Sequence, residues 1–390
     1  MGQQIQTGMT MRILHTADLH LGRQFNGIAL EEDQEVVLDQ IFCAVRDKGV
    51  DVLIIAGDVF DRAAPPSSAI RQFNRFVTRI VQDTDAAVVV IAGNHDSGDK
   101  IDAMSVFNEK KRALVRGVIS ADEPPLVLRD EHGPIAFSAL PFSYEYAARA
   151  SFADETIATP EHVLRAQVAS ARSSVQDDAR WVVVAHAFVA GAMAGDVERP
   201  LARVGGVETV SSEVFAGAHY VALGHLHRPQ QVGADHIRYS GSPLAFGFDE
   251  VDHEKSMSLV DMDRDGKIKL ETIPFKPLRG MRVLRGKYSE IIAGVPSSDF
   301  IKVILTDDMP LIEPMKRLRE VFPHVCHLSY ARDERVMAPN DLVPVTAQMI
   351  TPDELVNAFL EQVSGESMTE AEQVLLQSAL HDMQCEETAV

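Results

Sequence analysis

Val88-Val89-Val90-Ile91 is an unbroken branched apolar run, and the chain passes from it at once into Ala92-Gly93-Asn94-His95-Asp96. A run of that kind is a strand covered on both faces, as in a parallel sheet buried between layers. It ends on an amide, an imidazole and a carboxylate. The pattern recurs. Arg12–Thr16 leads to Asp18 and His20, Asp51–Ala56 to Gly57-Asp58, Trp181–Ala185 to His186, and Tyr220–Leu223 to Gly224-His225-Leu226-His227. Open α/β sheets hold their ligands outside the carboxyl ends of the strands. Five strand ends carrying one kind of chemistry point to a fold in which they converge.

The intervening segments agree. Glu31–Lys48 places Val36, Val37, Ile41, Ala44 and Val45 at helical spacing, and the helix after Pro65-Pro66-Ser67-Ser68 places Ile70, Phe73, Phe76, Val77 and Ile80 on one side. The resulting βαβαβ order predicts a parallel sheet with right-handed crossovers. Helices are expected at Ile101–Arg112 and Glu161–Ser174. Strands are expected at Leu126–Leu128, Ile135–Leu140, Ile237–Ser240, Met257–Met262 and Ile268–Ile273, the last two joined by an Asp263-Arg264-Asp265-Gly266 turn. Phe275–Gly280 reads as a boundary. Beyond it, strands at Met281–Tyr288, Phe300–Leu305 and Val325–Tyr330 with a helix near Leu311–Val321 predict a small α+β unit. Thr351-Pro352-Asp353-Glu354 and Ser367–Glu370 are capping boxes that predict two closing helices. The expected division is an N-terminal extension (1–10), a main α/β domain (11–277), an α+β domain (278–348) and acidic helices (349–390).

Charge narrows the function classes. The net charge of −20 argues against coating nucleic acid by bulk electrostatics. It is uneven, however: residues 351–390 hold nine Asp/Glu and no Lys or Arg, whereas 276–335 hold eleven Lys/Arg against eight Asp/Glu. Cys43, Cys326 and Cys385 are scattered with no CxxC, which fits a reducing compartment without disulfides or zinc-thiolate sites. Met1–Thr10 lacks an apolar core for a signal peptide, and no run has transmembrane length. The expectation is a soluble cytoplasmic protein with no membrane role.

Asp, Asn and His supply oxygen and imidazole ligands, a mixture that suits Mn2+, Fe2+ or Zn2+, with Mn2+ favoured by the oxygen share. One ion takes about four to six ligands, so this set is rich enough for two. Two ions roughly 3.5–4 Å apart need a bridging carboxylate, for which Asp58 is the natural choice. Such a pair lowers the pKa of a shared water from ~15.7 towards neutrality and neutralises a phosphoryl oxygen. His95, beside a ligand, is the candidate general acid, and Asp96 the residue to orient it. His15, His132, His162, His219, His236, His253, His324, His327 and His381 lack such a setting and read as surface or satisfied histidines.

These motifs resemble those of the calcineurin-like metallophosphoesterases. Arg12-Ile-Leu-His-Thr-Ala-Asp-Leu-His-Leu-Gly22, Ala56-Gly-Asp-Val-Phe-Asp61 and Tyr239-Ser-Gly-Ser-Pro243 narrow the resemblance to the SbcD-type nuclease subunits. It is strong over Met11–Pro277, weaker over 280–345 and architectural over the tail. It implies a four-layer fold of two central mixed β-sheets flanked by helices, with a small capping domain. It implies a dimanganese exonuclease and endonuclease acting on double-stranded DNA ends and hairpins in repair and recombination. One ion falls to Asp18, His20, Asp58 and His227, the other to Asp58, Asn94, His186 and His225, and His95 takes the proton-donor place. It also implies a coiled-coil ATPase partner of the SbcC type, bound by the terminal helices, in an assembly with two chains of each subunit. The helix at Ser68–Ile80 is a candidate homodimer contact. Asp61 stands where some relatives have a DNA-positioning histidine, and Arg23, Arg62, Lys100 and Arg228 are candidate phosphate contacts. Two other readings stand beside this one: a small-molecule phosphodiesterase or phosphatase of the same fold, and a non-catalytic scaffold for DNA ends.

Overall fold

Alternation along the central strands sets the layering. The structure, a computed structural model, describes residues 10–105, 112–195, 198, 202–203, 206–207, 209–332, 369 and 376. The chain divides into Met1–Ser329 and Tyr330–Val390, and the architecture below is that of the first unit. In the first sheet, β1 (Met11–Thr16), β4 (Val52–Ala56), β5 (Ala87–Ile91) and β6 (Ala113–Arg116) run parallel, in that order. Beyond β1 the sheet continues antiparallel through β15 (Ser256–Met262) and β16 (Ile268–Pro274). The second sheet has the order β13 (Gln230–Val232), β14 (Ala234–Tyr239), β12 (Tyr220–Gly224), β9 (Arg180–His186), β8 (Gly133–Leu140) and β7 (Leu126–Asp130), with only the two edge strands antiparallel.

Successive side chains of a strand point to opposite faces, so each central strand feeds two cores. Ile13, Val52, Ile54, Val89 and Ile91 meet Phe137, Val182, Val184 and Ala222 between the sheets. Leu14, Leu53, Ile55, Val88 and Val90 face outward to Val37, Ile41, Phe73, Phe76 and Ile80. Those residues belong to α1 (Glu31–Asp47) and α2 (Ser67–Asp83). Trp181, Val183, Val221 and Leu223 pack instead on Leu164, Val168 and Ala171 of α5 (Pro160–Ser173). The result is the expected four-layer arrangement of two mixed sheets between helices. His15 joins the sheets: its Nε2–H donates to the Leu223 carbonyl at 3.1 Å, and its Nδ1 accepts from the Tyr220 hydroxyl at 2.8 Å.

Some elements differ from the sequence reading. The helix expected at 101–112 is α3 (Gly98–Asp102), short and earlier; 106–111 lie outside the described residues, and Arg112 precedes β6. β6, β13, α4 (Glu145–Phe152) and the hairpins β2–β3 (Gln24–Phe25, Ile28–Ala29) and β10–β11 (Ala202–Arg203, Gly206–Val207) are additions. The α+β segment forms a three-stranded sheet of β17 (Met281–Gly286), β18 (Phe300–Leu305) and β19 (Val325–Tyr330) with α6 (Tyr288–Ile292) and α7 (Pro314–Val321). Phe300 packs edge-on against Phe25, and Arg279 pairs with the buried Asp33 while stacking over Phe300. The closing helices expected at 349–390 fall outside the described residues apart from two positions. Among the described residues no helix is long and apolar enough to cross a membrane.

Candidate metal centre

The chain leaves β1 and β4 in unusual backbone geometry. Asp18, His20 and Asp58 have φ of 54°, 45° and 48°, and His225 after β12 has 105°. Non-glycine residues resist this left-handed region by about 1–2 kcal/mol each, and such strain collects at functional sites. The two tails are held together by Asp18 N–H to Gly57 O (3.0 Å), His20 N–H to Asp58 O (3.0 Å) and Leu21 N–H to Val59 O (2.9 Å). Gly93 and Gly224 let the tips approach. A Cβ on Gly93 would overlap the Asp58 backbone N and Oδ1, and one on Gly224 would overlap the Ala56 carbonyl.

The side chains fall into two groups that share a carboxylate. Donor atoms of Asp18, His20 and His227 all lie within 4.8 Å of one another, as do those of Asp18, Asp58 and His186. His20 Nε2 faces His227 Nε2 at 3.3 Å. On the other side, Asn94 Oδ1 lies 2.9 Å from His186 Nε2 and 3.0 Å from His225 Nδ1. Asp58 Oδ2 sits between, 3.8 Å from His20 Nε2 and 3.5 Å from His186 Nε2. All seven expected ligand residues are thus brought together.

Hydrogen bonds behind the rings fix their tautomers. His186 Nδ1–H donates to the Ala56 carbonyl at 2.9 Å, leaving the Nε2 lone pair turned towards Asn94 and Asp58. His227 Nδ1 meets Glu250 Oε1 at 3.0 Å, Glu250 Oε2 is held by Lys255 Nζ at 2.5 Å, and Glu198 accepts the His227 backbone N–H. Such outer partners orient metal-binding histidines. Glu198, Glu250 and Lys255 are absent from the sequence reading, since a buried charged residue carries no mark in a single sequence. The donor set suits a divalent cation. Burial holds His20, His186 and His225 below the usual histidine range, so their lone pairs are free. Burial and the neighbouring Asp58 push the Asp18 carboxyl up. His20 Nδ1 is buried without a hydrogen-bond partner.

His95 is exposed at the rim. Its backbone N–H donates to Asp58 Oδ1 at 2.8 Å, its Nδ1–H donates to the Asp61 carbonyl at 2.9 Å, and its ring stands edge-on to His20 at 4.8 Å. Asp96, expected to orient His95, does not bond to it. Its Oδ2 accepts from Val59 N (3.0 Å) and Gly93 N (2.9 Å), and its Oδ1 from Phe60 N (2.9 Å). Asp96 therefore ties the β4 and β5 tips together; adjacent residues in a tight loop point apart. Asp61 holds Arg23 at 3.0 Å, and Arg23 lies over Phe246. Lys100 Nζ is spent on the Ala63 carbonyl, whereas Arg62 and Arg228 are exposed.

A family model described as calcineurin-like phosphoesterase matches residues 11–229, the segment that supplies every one of these residues except Glu250, Lys255 and Phe246. The chain belongs to the calcineurin-like phosphoesterases. A second model, described as the type 5 capsule protein repressor C-terminal domain, matches residues 277–364. The family placement narrows to the SbcD type. A relative from Staphylococcus epidermidis, named as the D component of the nuclease SbcCD, is 30% identical over 323 residues, covering 82% of this chain and 85% of that one. Its namesake from Staphylococcus saprophyticus is 29% identical over 364 residues, covering 92% and 95%.

Proposed function

We propose that this chain is the nuclease subunit of an SbcC–SbcD-type complex, hydrolysing phosphodiester bonds at double-stranded DNA ends and hairpins with two divalent ions, Mn2+ by donor chemistry. The observation that carries the reading is Asp58, one carboxylate oxygen placed between an Asp18/His20/His227 group and an Asn94/His186/His225 group. In this reading those two groups hold the ions, which supply Lewis-acid charge neutralisation for a phosphoryl oxygen and an acidified water. The protein's own part is positional. Asp58 links the two groups, the Ala56 carbonyl and Glu250 hold the His186 and His227 rings, and the exposed His95 presents Nε2 to the leaving oxygen, its Nδ1–H being engaged by Asp61. The relatives carry the substrate class: they are named as nuclease components and align along most of their length. Their name, which pairs this component with a second one, supports an SbcC-type partner. That the partner is an ATPase, that the setting is cytoplasmic and that two copies of this chain meet in the assembly belong to the same proposal. Residues 278–348 would then cap the DNA and 349–390 bind the ATPase.

The test compares Mn2+-dependent degradation of a linear duplex with hydrolysis of a chromogenic phosphodiester, with and without the ATPase. Duplex left intact in every condition, with the small ester cleaved, would return the protein to the small-molecule phosphodiesterases. His95→Ala is expected to bind Mn2+ as the parent does while losing cleavage by about 10²–10⁴-fold. Loss of metal in that variant would instead make His95 a ligand.

A further inference from the structure

The rim of the centre is chemically divided. On the His20 side stand Arg23, paired with Asp61, and the exposed His95. On the His186 side stand aromatic rings that lead away from the centre to solvent. Phe142 lies edge-on to His186 with ring centroids 6.4 Å apart. Tyr144 lies edge-on to Phe142 at 5.1 Å, and Tyr146 stacks on Tyr144 at 5.9 Å with only 11° between the planes. Exposure rises outward: Phe142 is half-buried, Tyr144 is 45% exposed and Tyr146 67%.

Helix stability does not account for this pair. Tyr144 is the N-cap of α4 and makes no side-chain cap bond. Ser, Thr, Asp or Asn at that place would accept a backbone N–H. Tyr146, in the first turn, leaves most of its ring in water. Neither hydroxyl has a hydrogen-bond partner among the described residues. What the two rings do offer is large, flat, rigid and directly continuous with a side chain of the metal centre. Unpaired bases stack on such faces whatever their sequence, and stacking contributes substantially per base. Bases inside a duplex keep their faces covered by their neighbours and cannot use it.

We propose that Phe142, Tyr144 and Tyr146 form a stacking track for unpaired bases of a DNA strand entering the centre on its His186 side. The track selects ends that carry single-stranded nucleotides. The inference rests on the nuclease reading above and adds the substrate form that this site prefers. Tyr146 and Tyr144 act on binding, so they govern KM for tailed ends, while the reacting groups set kcat.

The experiment uses the full chain with its ATPase partner and Mn2+. It measures kcat and KM on a blunt duplex, on the same duplex with a single-stranded tail, and on a chromogenic phosphodiester. For the Tyr144→Ala/Tyr146→Ala protein, KM on the tailed duplex is expected to rise about tenfold or more. Its kcat, the blunt duplex and the small ester are expected to stay near parental values. Tyr144→Phe/Tyr146→Phe should restore the tailed substrate, and Tyr144→Leu/Tyr146→Leu should not, because the aromatic face is what stacks. An unchanged KM on the tailed duplex, an equal loss on both duplexes, or rescue by leucine as good as by phenylalanine would each overturn the track and leave the nuclease reading in place. A parent protein that cleaves the small ester but neither duplex would overturn both.

Discussion

Asp96 spends both carboxylate oxygens on the backbone N–H groups of Val59, Phe60 and Gly93. Its sequence position beside His95 suggests a catalytic partner; its bonds make it a clasp between two strand ends. The distinction can be measured. Asp96→Ala leaves three backbone donors without their acceptor, and each buried N–H left without a partner costs about 1–3 kcal/mol. We expect a loss of about 3 kcal/mol or more in urea unfolding of the metal-free protein, and a fall in activity that follows loosened Mn2+ binding. A variant of parental stability and metal affinity with cleavage lost would instead return Asp96 to the role of orienting His95. The sequence makes the seven ligand residues readable because each follows a recognisable strand, a continuous apolar run for all but Asp18 and His20. Glu198 and Lys255 sit in loops and Glu250 in a three-residue 3-10 turn, none of which a periodicity marks, although Glu250 is 1% exposed and bonded to His227.

Strand ends are the elements that carry the chemistry, and glycine is what lets them meet. β5 and β4 converge so closely that Gly93 touches the Asp58 backbone. Gly93→Ala is therefore expected to fold but to displace Asp58. The added methyl should cost roughly 1–3 kcal/mol as overpacking and lower Mn2+ affinity by at least about tenfold, read by titration calorimetry. Parental affinity in a folded Gly93→Ala protein would show that Asp58 tolerates displacement and does not link the two groups. The central strands are legible for the same reason as the ligands: Val52–Ala56 and Ala87–Ile91 are buried on every residue. α4 is not, because it buries only Glu145 and Ala148 and turns Tyr146 outward, so no apolar stripe announces it. β6 has four residues, too short for a period to show.

At the scale of the whole molecule, two sheets must stay in register for the two ligand groups to meet, and a buried polar residue bonds across their apolar interface. His15 on β1 bonds to Tyr220 and Leu223 on β12 in full burial. Burial lowers its pKa from 6.5 to about 3, so the folded protein holds it neutral across the whole physiological range. The unfolded chain takes up a proton at this residue as pH falls below about 6.5, and the folded protein does not. Stability from His15 is thus fully present above about pH 6.5 and is lost as pH falls towards about 3, by about 1.4 kcal/mol per pH unit where the full proton difference applies. Other groups titrate in that window, so the measurement is a difference: urea unfolding of the parent and of His15→Gln at pH 7 and at pH 5, both metal-free. The glutamine keeps a polar group at the site and does not titrate. It is expected to be the less stable at pH 7, with the gap closing by about 2 kcal/mol at pH 5. A gap that is the same at both pH values would mean that His15 takes up its proton in the folded state as readily as in the unfolded chain.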